Sequence, residues 1–426
     1  MTEPPDENAA LRWDDARRLI DAAIRPVIDT ETIALHAALG RVLANDLVSQ
    51  VDVPAHDNAA MDGYAFRAEA STPARNRTGT RRLRVVGQAL AGEPFTGSVA
   101  SGECVRVMTG AMMPLHCDAV VPQEETTSHG NEVEIAGDVR PGQHRRCRGE
   151  DLASGAIAIP RGRRITPSDL GLAASIGAAE VPVVRRSRVA IFSTGTELRA
   201  AGEALAPGCV HDSNRYALMG MLERLGVEVI DMGIVRDDRD ALEAALTHAC
   251  SDTVRADAIV TSGGVSGGDA DYTREVMRKI GRVSFWKLAI KPGRPMAFGR
   301  VEVVSEHATR SALLFGLPGN PVSTMVVFYA LVREALLKLS GAHVEPLPCL
   351  RLICDAPLKK PKGRTEFVRG IAYRRDDGWH VRTTGAQGSG ILRSMSEANC
   401  LIVLDHDRSD VATGELVEAW PFDGLT

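Results

Sequence analysis

Two glycine-rich turns, residues 261–275 (TSGGVSGGDADYTRE) and 316–321 (GLPGNP), each follow an apolar β-like run and precede a helix-like one. A chain that steps repeatedly from strand through glycine turn to helix is constrained to an α/β sheet, with those turns at the carboxyl ends of its strands. Turns of this kind present backbone N–H groups to an anion, so phosphate binding is the first expectation.

The alternation extends upstream. RVAIFSTG, VEVIDMGIV and DAIVTSGG read as strands, interleaved with the helices NRYALMGMLERLG, DALEAALTHAC and DYTREVMRKIG, and this βα order predicts a parallel sheet covered by helices. In the first of these helices Leu218, Met221, Leu222 and Leu225 form an i, i+3, i+4, i+7 stripe, with Gly226 placed as the cap. Core packing accounts for its methionines. The sheet continues through VSFWKLAI, MAFGRVEVV and SALLFG into a helix over residues 321–341, with Pro321 in its first turn and Gly341 at its end. Residues 311–332 are uncharged, but Gly316, Pro318, Gly319, Asn320 and Pro321 interrupt them. They read as a buried strand, a turn and a buried helix rather than a membrane span.

Outside this region the pattern changes. Residues 11–24 place Leu11, Ala16, Leu19, Ile20 and Ala23 on one side of an amphipathic helix that Pro26 stops. Short β-like pieces fill residues 51–148, residues 150–180 read as a connector, and short strands return after Pro346 as a small β domain or barrel. A chain of 426 residues is expected to form about two to four domains. The net charge of -5 argues against a general nucleic-acid binder, so any anion site is local. Eight dispersed cysteines with no CxxC pair suggest neither a zinc site nor a disulfide framework, and fit reduced thiols in a cytosol. The opening MTEPPDENAALRW lacks the apolar core of a secretory signal.

If the strands are neighbours, the turns STGTEL (193–198), DMGIVRDD (231–238), 261–271 and GLPGNP line a single cleft. Gly263, Gly264, Gly267 and Gly268 let backbone N–H groups approach a phosphate, and Ser262 and Ser266 add hydroxyl donors. Asp269 and Asp271 offer carboxylates of the kind that hold Mg²⁺ beside phosphates. An isolated Asp271 reads as a helix cap. Together with Glu197, Asp237 and Asp238 it would concentrate negative charge beside an anion site, and a divalent cation resolves that repulsion. The segment WKLAIKPGRP (286–295) brings Lys287, Lys291 and Arg294, either as anion ligands or as a solvated hairpin. GLPGNP is stiffened by Pro318 and Pro321, and reads alternatively as a plain strand-to-helix connection. DNAAMDGYA (57–65) with Asp62, and MTGA (108–111) with Thr109, would each be a turn if taken alone. The basic runs RGRR, RRSR and KKPKGR read as surface charge, whereas RPGQHRRCRGED mixes cations with Glu150 and Asp151.

Taken in order, DNAAMDGYA, MTGA, RGED, FSTGTEL, RDD, SGGVSGGDADYT, FWKLAIKPGRP and GLPGNPVS resemble the molybdopterin molybdenumtransferases, which are also similar to the carboxy-terminal part of gephyrin. The resemblance implies a multidomain α/β plus β fold: a parallel-sheet molybdopterin-binding α/β domain over 181–341 with the helix of 1–25 packed on it, an elongated connector over 26–50 and 149–180, a mostly β domain over 51–148, and a C-terminal β-barrel-like domain over 345–426. It implies that molybdenum from molybdate enters adenylylated molybdopterin with Mg²⁺-assisted release of AMP. The catalytic set carried over is Asp62, Thr109, Asp151, Glu197, Asp237 and Asp271, of which Glu197, Asp271 and Asp237 would hold Mg²⁺. Substrate would be bound by Ser262, Gly263, Gly264, Ser266, Gly268, Lys287, Lys291, Arg294, Pro318 and Pro321. The family also implies a cytoplasmic homodimer with an active site shared between subunits, and transient contact with other proteins of molybdenum cofactor biosynthesis. Thr196, Ala59 and Gly267 depart from the residues usual at those positions. Two other readings are a molybdopterin adenylyltransferase, which shares the α/β domain but lacks the additional regions, and a non-catalytic molybdopterin-binding scaffold.

Overall fold

A computed structural model describes residues 10–68, 80–136, 138–265, 271–304 and 309–422. At its centre is a seven-stranded sheet in the order Ala10–Leu11, Gly281–Leu288, Pro295–Val304, Thr309–Leu317, Ala258–Ser262, Arg188–Thr194, Glu228–Val235. Four strands, Thr309–Leu317 through Glu228–Val235, run parallel as the βα alternation requires. Pro295–Val304 is instead antiparallel to both of its neighbours, Gly281–Leu288 and Thr309–Leu317, while the edge strand Ala10–Leu11 runs parallel to Gly281–Leu288. The six residues 289–294 and the four residues 305–308 are too few for the crossover that a parallel pair needs, so the chain can only double back. The sheet is therefore mixed, with its parallel half carrying the glycine turns.

Helices cover both faces. In Ser213–Leu225 the stripe Leu218, Met221, Leu222 and Leu225 is buried, and Gly226 takes the left-handed C-cap at φ 80°. The helix that starts at Pro321 is continuous to Leu339, but Phe328–Val332 makes a π turn between Pro321–Val327 and Arg333–Leu339. All five π-turn residues are buried. The opening helix starts at Trp13 and ends at Ala23. Leu11 lies outside it because its backbone joins the sheet edge, opposite Leu288, and accepts a hydrogen bond from Ala289 N at 2.7 Å. Trp13 packs on Phe367 and Trp420 of the C-terminal domain and donates from Nε1 to Ala330 O at 3.1 Å, which fixes this helix against both units.

Three further units surround the sheet. Thr30–Ala34 pairs with Glu180–Val184, and Leu47–Val48 with Ile157–Ile159, so stretches distant in sequence share a small core of Leu43, Ile159, Ile165, Val181 and Val183. A six-stranded sheet between Gly63 and Ala136 buries a separate core on each face. In the C-terminal unit Thr365–Arg375 pairs with both Gly378–Thr383 and Cys400–Leu404, which closes the sheet into a barrel. Its edge also takes up Ile290–Lys291 from the α/β domain. Among the described residues no helix is long and apolar enough to cross a membrane.

Candidate active site

The parallel strands bring four turns to one edge. Leu317 is in register with Ser262, Ser262 with Ser193, and Thr194 with Val235, so the turns after these residues stand side by side at roughly 4.8 Å per strand. Gly263 is wedged between two of them: its N–H donates to Leu317 O at 3.0 Å, and a Cβ there would lie 2.3 Å from Thr194 O. Its φ of +94° and the +70° of Gly264 turn the backbone out of the strand, a conformation that favours glycine. Buried Asn214, in the first turn of Ser213–Leu225, ties this turn to GLPGNP by donating from Nδ2 to Ser262 Oγ and to Gly319 O, both at 2.7 Å. Thr324 Oγ1 donates to the carbonyl of buried Pro318 at 2.6 Å. These bonds tie the described start of the first glycine turn to GLPGNP without a ligand.

Acidic side chains flank the turns. Glu197 is exposed, and its carboxylate curls over Gly195 so closely that a Cβ there would meet Oε2 at 2.6 Å. No described side chain hydrogen-bonds or ion-pairs with it. Half-buried Asp237 accepts a hydrogen bond from Thr194 Oγ1 at 3.3 Å. Asp271 is the first described residue of the helix Asp271–Lys279; its side chain, together with Ser266, Gly267, Gly268 and Asp269, lies outside the described residues, and so does the reading of Asp271 as a helix cap. The described residues contain no group of three metal-ligating side chains. A pair of loop carboxylates nevertheless fits Mg²⁺, which binds through one or two carboxylates plus substrate phosphates.

Lys287 is half-buried on its strand, and Lys291 and Arg294 are exposed on the following turn. That turn is no free hairpin. One side pairs with the C-terminal sheet, and on the other a Cβ on Gly293 would meet Val327 Cγ2 at 2.4 Å, so it packs on the helix that begins at Pro321.

The β-domain motifs gather separately. Thr109 donates to Asp62 Oδ1 from both Oγ1 and N, each at 2.7 Å. RGED is fastened alongside: Arg145–Arg146 pairs with Asn58–Ala59, Arg148 N donates to Asp57 Oδ1 at 2.7 Å, and Asp151 N donates to Val53 O at 3.0 Å, leaving the Asp151 side chain exposed. Thus Asp62 and Thr109 are joined directly, RGED is fastened to the segment that leads to Asp62, and the remaining predicted residues that the structure describes lie on the α/β domain.

The Thr109 hydroxyl, and then its amide, hold the Asp62 carboxyl below the ordinary carboxylate range. Because the folded value is depressed, the arrangement is intact above the ordinary value and is lost only as pH falls through the lower folded one, below about pH 4. Thr109→Val is expected to raise the Asp62 pKa, read from the side-chain carboxyl carbon shift against pH. An unchanged value would assign the effect to the amide alone.

Asn214 was not legible as a site residue in the sequence, where it is one polar residue in the first turn of a helix. The buried thiols of Cys104 and Cys117 are pushed up to about 12 by burial, which keeps them protonated and poorly nucleophilic.

Glycine turns along one strand edge of an α/β domain suit an anionic ligand, and residues 190–338 match the family described as the probable molybdopterin binding domain. Residues 11–177 match the MoeA N-terminal region (domain I and II), and residues 351–422 the MoeA C-terminal region (domain IV). The chain belongs to the molybdopterin molybdenumtransferase family. It is 40% identical to the molybdopterin molybdenumtransferase of Haemophilus influenzae over 97% of this chain and 99% of that one. It is 34% identical to molybdopterin molybdenumtransferase 2 of Mycobacterium tuberculosis over 93% and 95%. The crystal structure of a molybdopterin biosynthesis moeA protein from Pyrococcus horikoshii OT3 superposes with a TM-score of 0.82 at 28% identity, covering 97% of this chain and 100% of that one.

Proposed function

We propose that this chain is a transferase that inserts molybdenum from molybdate into adenylylated molybdopterin, releasing AMP and yielding molybdenum cofactor. The observation that carries this reading is the row of pinned glycine turns with Glu197 and Asp237 beside them, on a chain related over its whole length to molybdenumtransferases. The Gly264 N–H and those of Gly319 and Asn320 in the GLPGNP turn would hold the pterin and its phosphates, the Gly263 N–H being spent on Leu317 O. Lys287, Lys291 and Arg294 would neutralise phosphate or molybdate charge from the adjoining turn. Glu197 and Asp237, with Asp271, would hold Mg²⁺. When bound, that ion would neutralise charge on the phosphoanhydride. Water would add at phosphorus as the bond between the substrate phosphate and AMP breaks and AMP leaves, and the paired thiols of the pterin would displace oxygen from molybdate, which departs as water with the thiol protons and leaves the molybdenum oxidation state unchanged.

Asp62, Thr109 and Asp151 stand outside the α/β domain, and a homodimer in which they face a second copy's cleft would complete the site. The eight free cysteines support a cytoplasmic location. Relatives matched across every domain are named for molybdenum transfer, which favours insertion over adenylylation and over a scaffold role. Purified protein given adenylylated molybdopterin, Mg²⁺ and molybdate is expected to release AMP only when molybdate is present. AMP release indifferent to the oxyanion would overturn the proposal.

A further inference from the structure

The turn bearing Lys291 is held between two domains. Lys291 stands opposite Glu366 in the pairing that joins Ile290–Lys291 to the C-terminal sheet, and Thr365 N donates to Ala289 O at 2.9 Å. One carboxylate serves two cations at this junction. Glu366 Oε1 lies 2.8 Å from Arg364 Nε and Oε2 lies 3.3 Å from Lys291 Nζ. Glu366 is buried at 4% exposure, whereas the Lys291 side chain is 49% exposed. A carboxylate this desolvated is costly unless its partners stay in place. Arg364, in the bend just before the strand Thr365–Arg375, would satisfy half of it without any contribution from the α/β domain. The second oxygen reaches across the junction, and the lysine ammonium keeps further donors for solvent or ligand.

We infer that Glu366 is a positioning residue, holding Lys291 where it meets a tetrahedral oxyanion entering the cleft. The inference rests on that cleft being the substrate site. The oxyanion is either a phosphoryl group of the adenylylated pterin or molybdate, and affinity for each is separable. Electrostatics alone would make removal of the Glu366 charge tighten anion binding, since it leaves Lys291 and Arg364 uncompensated. Weaker binding is therefore the signature of lost position.

The test is a double-mutant cycle of Glu366→Gln and Lys291→Met, with unfolding midpoints measured for each variant. KM for molybdate, KM for the adenylylated pterin and kcat are followed, together with tungstate binding to the full chain by calorimetry without the pterin. Glu366→Gln is expected to raise one KM about tenfold with kcat little changed, and to add nothing further in the Lys291→Met background. A rise for molybdate, with weaker tungstate binding, assigns the contact to the metal oxyanion; a rise for the pterin alone assigns it to the phosphoryl group. Tighter binding, or equal effects in both backgrounds, would overturn the inference. If Glu366→Gln fails to fold, Glu366→Asp keeps the charge but shortens the reach, and must also weaken binding in a Lys291-dependent way. Wild-type protein without molybdate-dependent AMP release would count against the proposed function, whereas the tungstate cycle reads the coupling without turnover.

Discussion

Replacing Glu197 with Gln is expected to lower molybdate-dependent AMP release by roughly 10²–10³-fold, the usual cost of removing one group that stabilises developing charge. Stability should hardly change. The Glu197 carboxylate is exposed and makes no hydrogen bond or ion pair with a described side chain, so the folded state gains nothing from its charge that Gln would forfeit. Asp237→Asn is expected to act in the same direction, with a small structural component from the weakened bond to Thr194 Oγ1. Raising Mg²⁺ should restore part of the lost rate if the carboxylates act by holding the ion, because a weakened site is refilled at higher concentration. Steady-state AMP release against Mg²⁺ concentration makes the measurement. Full activity in Glu197→Gln at limiting Mg²⁺ would remove Glu197 from the assignment.

The parts of this fold that the sequence announces are those with a local physical signal. Leu218, Met221, Leu222 and Leu225 repeat at helical spacing and are all buried, because side chains three and four apart on a helix share a face whatever lies opposite. The glycines at 263 and 264 announce a turn because a positive φ is a property of the residue itself. What was not legible is pairing. Periodicity gave no direction for Gly281–Leu288 and Pro295–Val304; only the short connections betray the antiparallel course. Nor does anything near Lys291 say that its backbone will join a strand beginning at Thr365, or that Glu366 will meet it there. Leu11 fits the apolar stripe of the helix behind it, yet a sheet edge claims its backbone. Asn214 resembles any polar residue in a helix's first turn until Ser262 and Gly319 are brought to it.

A second large effect is expected at Gly263, where fold and function meet. Gly263→Ala places a methyl 2.3 Å from Thr194 O, a backbone atom of the neighbouring strand that cannot swing aside as a flexible side chain can. The substitution also forces an L residue to φ +94°. Relief requires the 263 turn to move off the Arg188–Thr194 strand, which would strain the bond from Gly263 N to Leu317 O and the Ser262 contact to Asn214. The expected loss is about 2–4 kcal/mol in the α/β domain, read from urea unfolding together with faster hydrogen exchange along Ala258–Ser262. Gly319→Ala is the matching control: the nearest atom to its added carbon is Gly263 Cα at 3.9 Å, an ordinary contact. Its stability should stay within about 0.5 kcal/mol of the parent. Its methyl would nevertheless stand between the two turns, so weakened affinity for the adenylylated pterin is expected at unchanged stability. The two alanines should therefore separate: one breaks the edge of the sheet that forms the cleft, and the other leaves the sheet alone and fills the cleft. A Gly263→Ala protein as stable as the parent would mean that the turn has slack, and fixed presentation of the Gly264 N–H could not then be its contribution to binding.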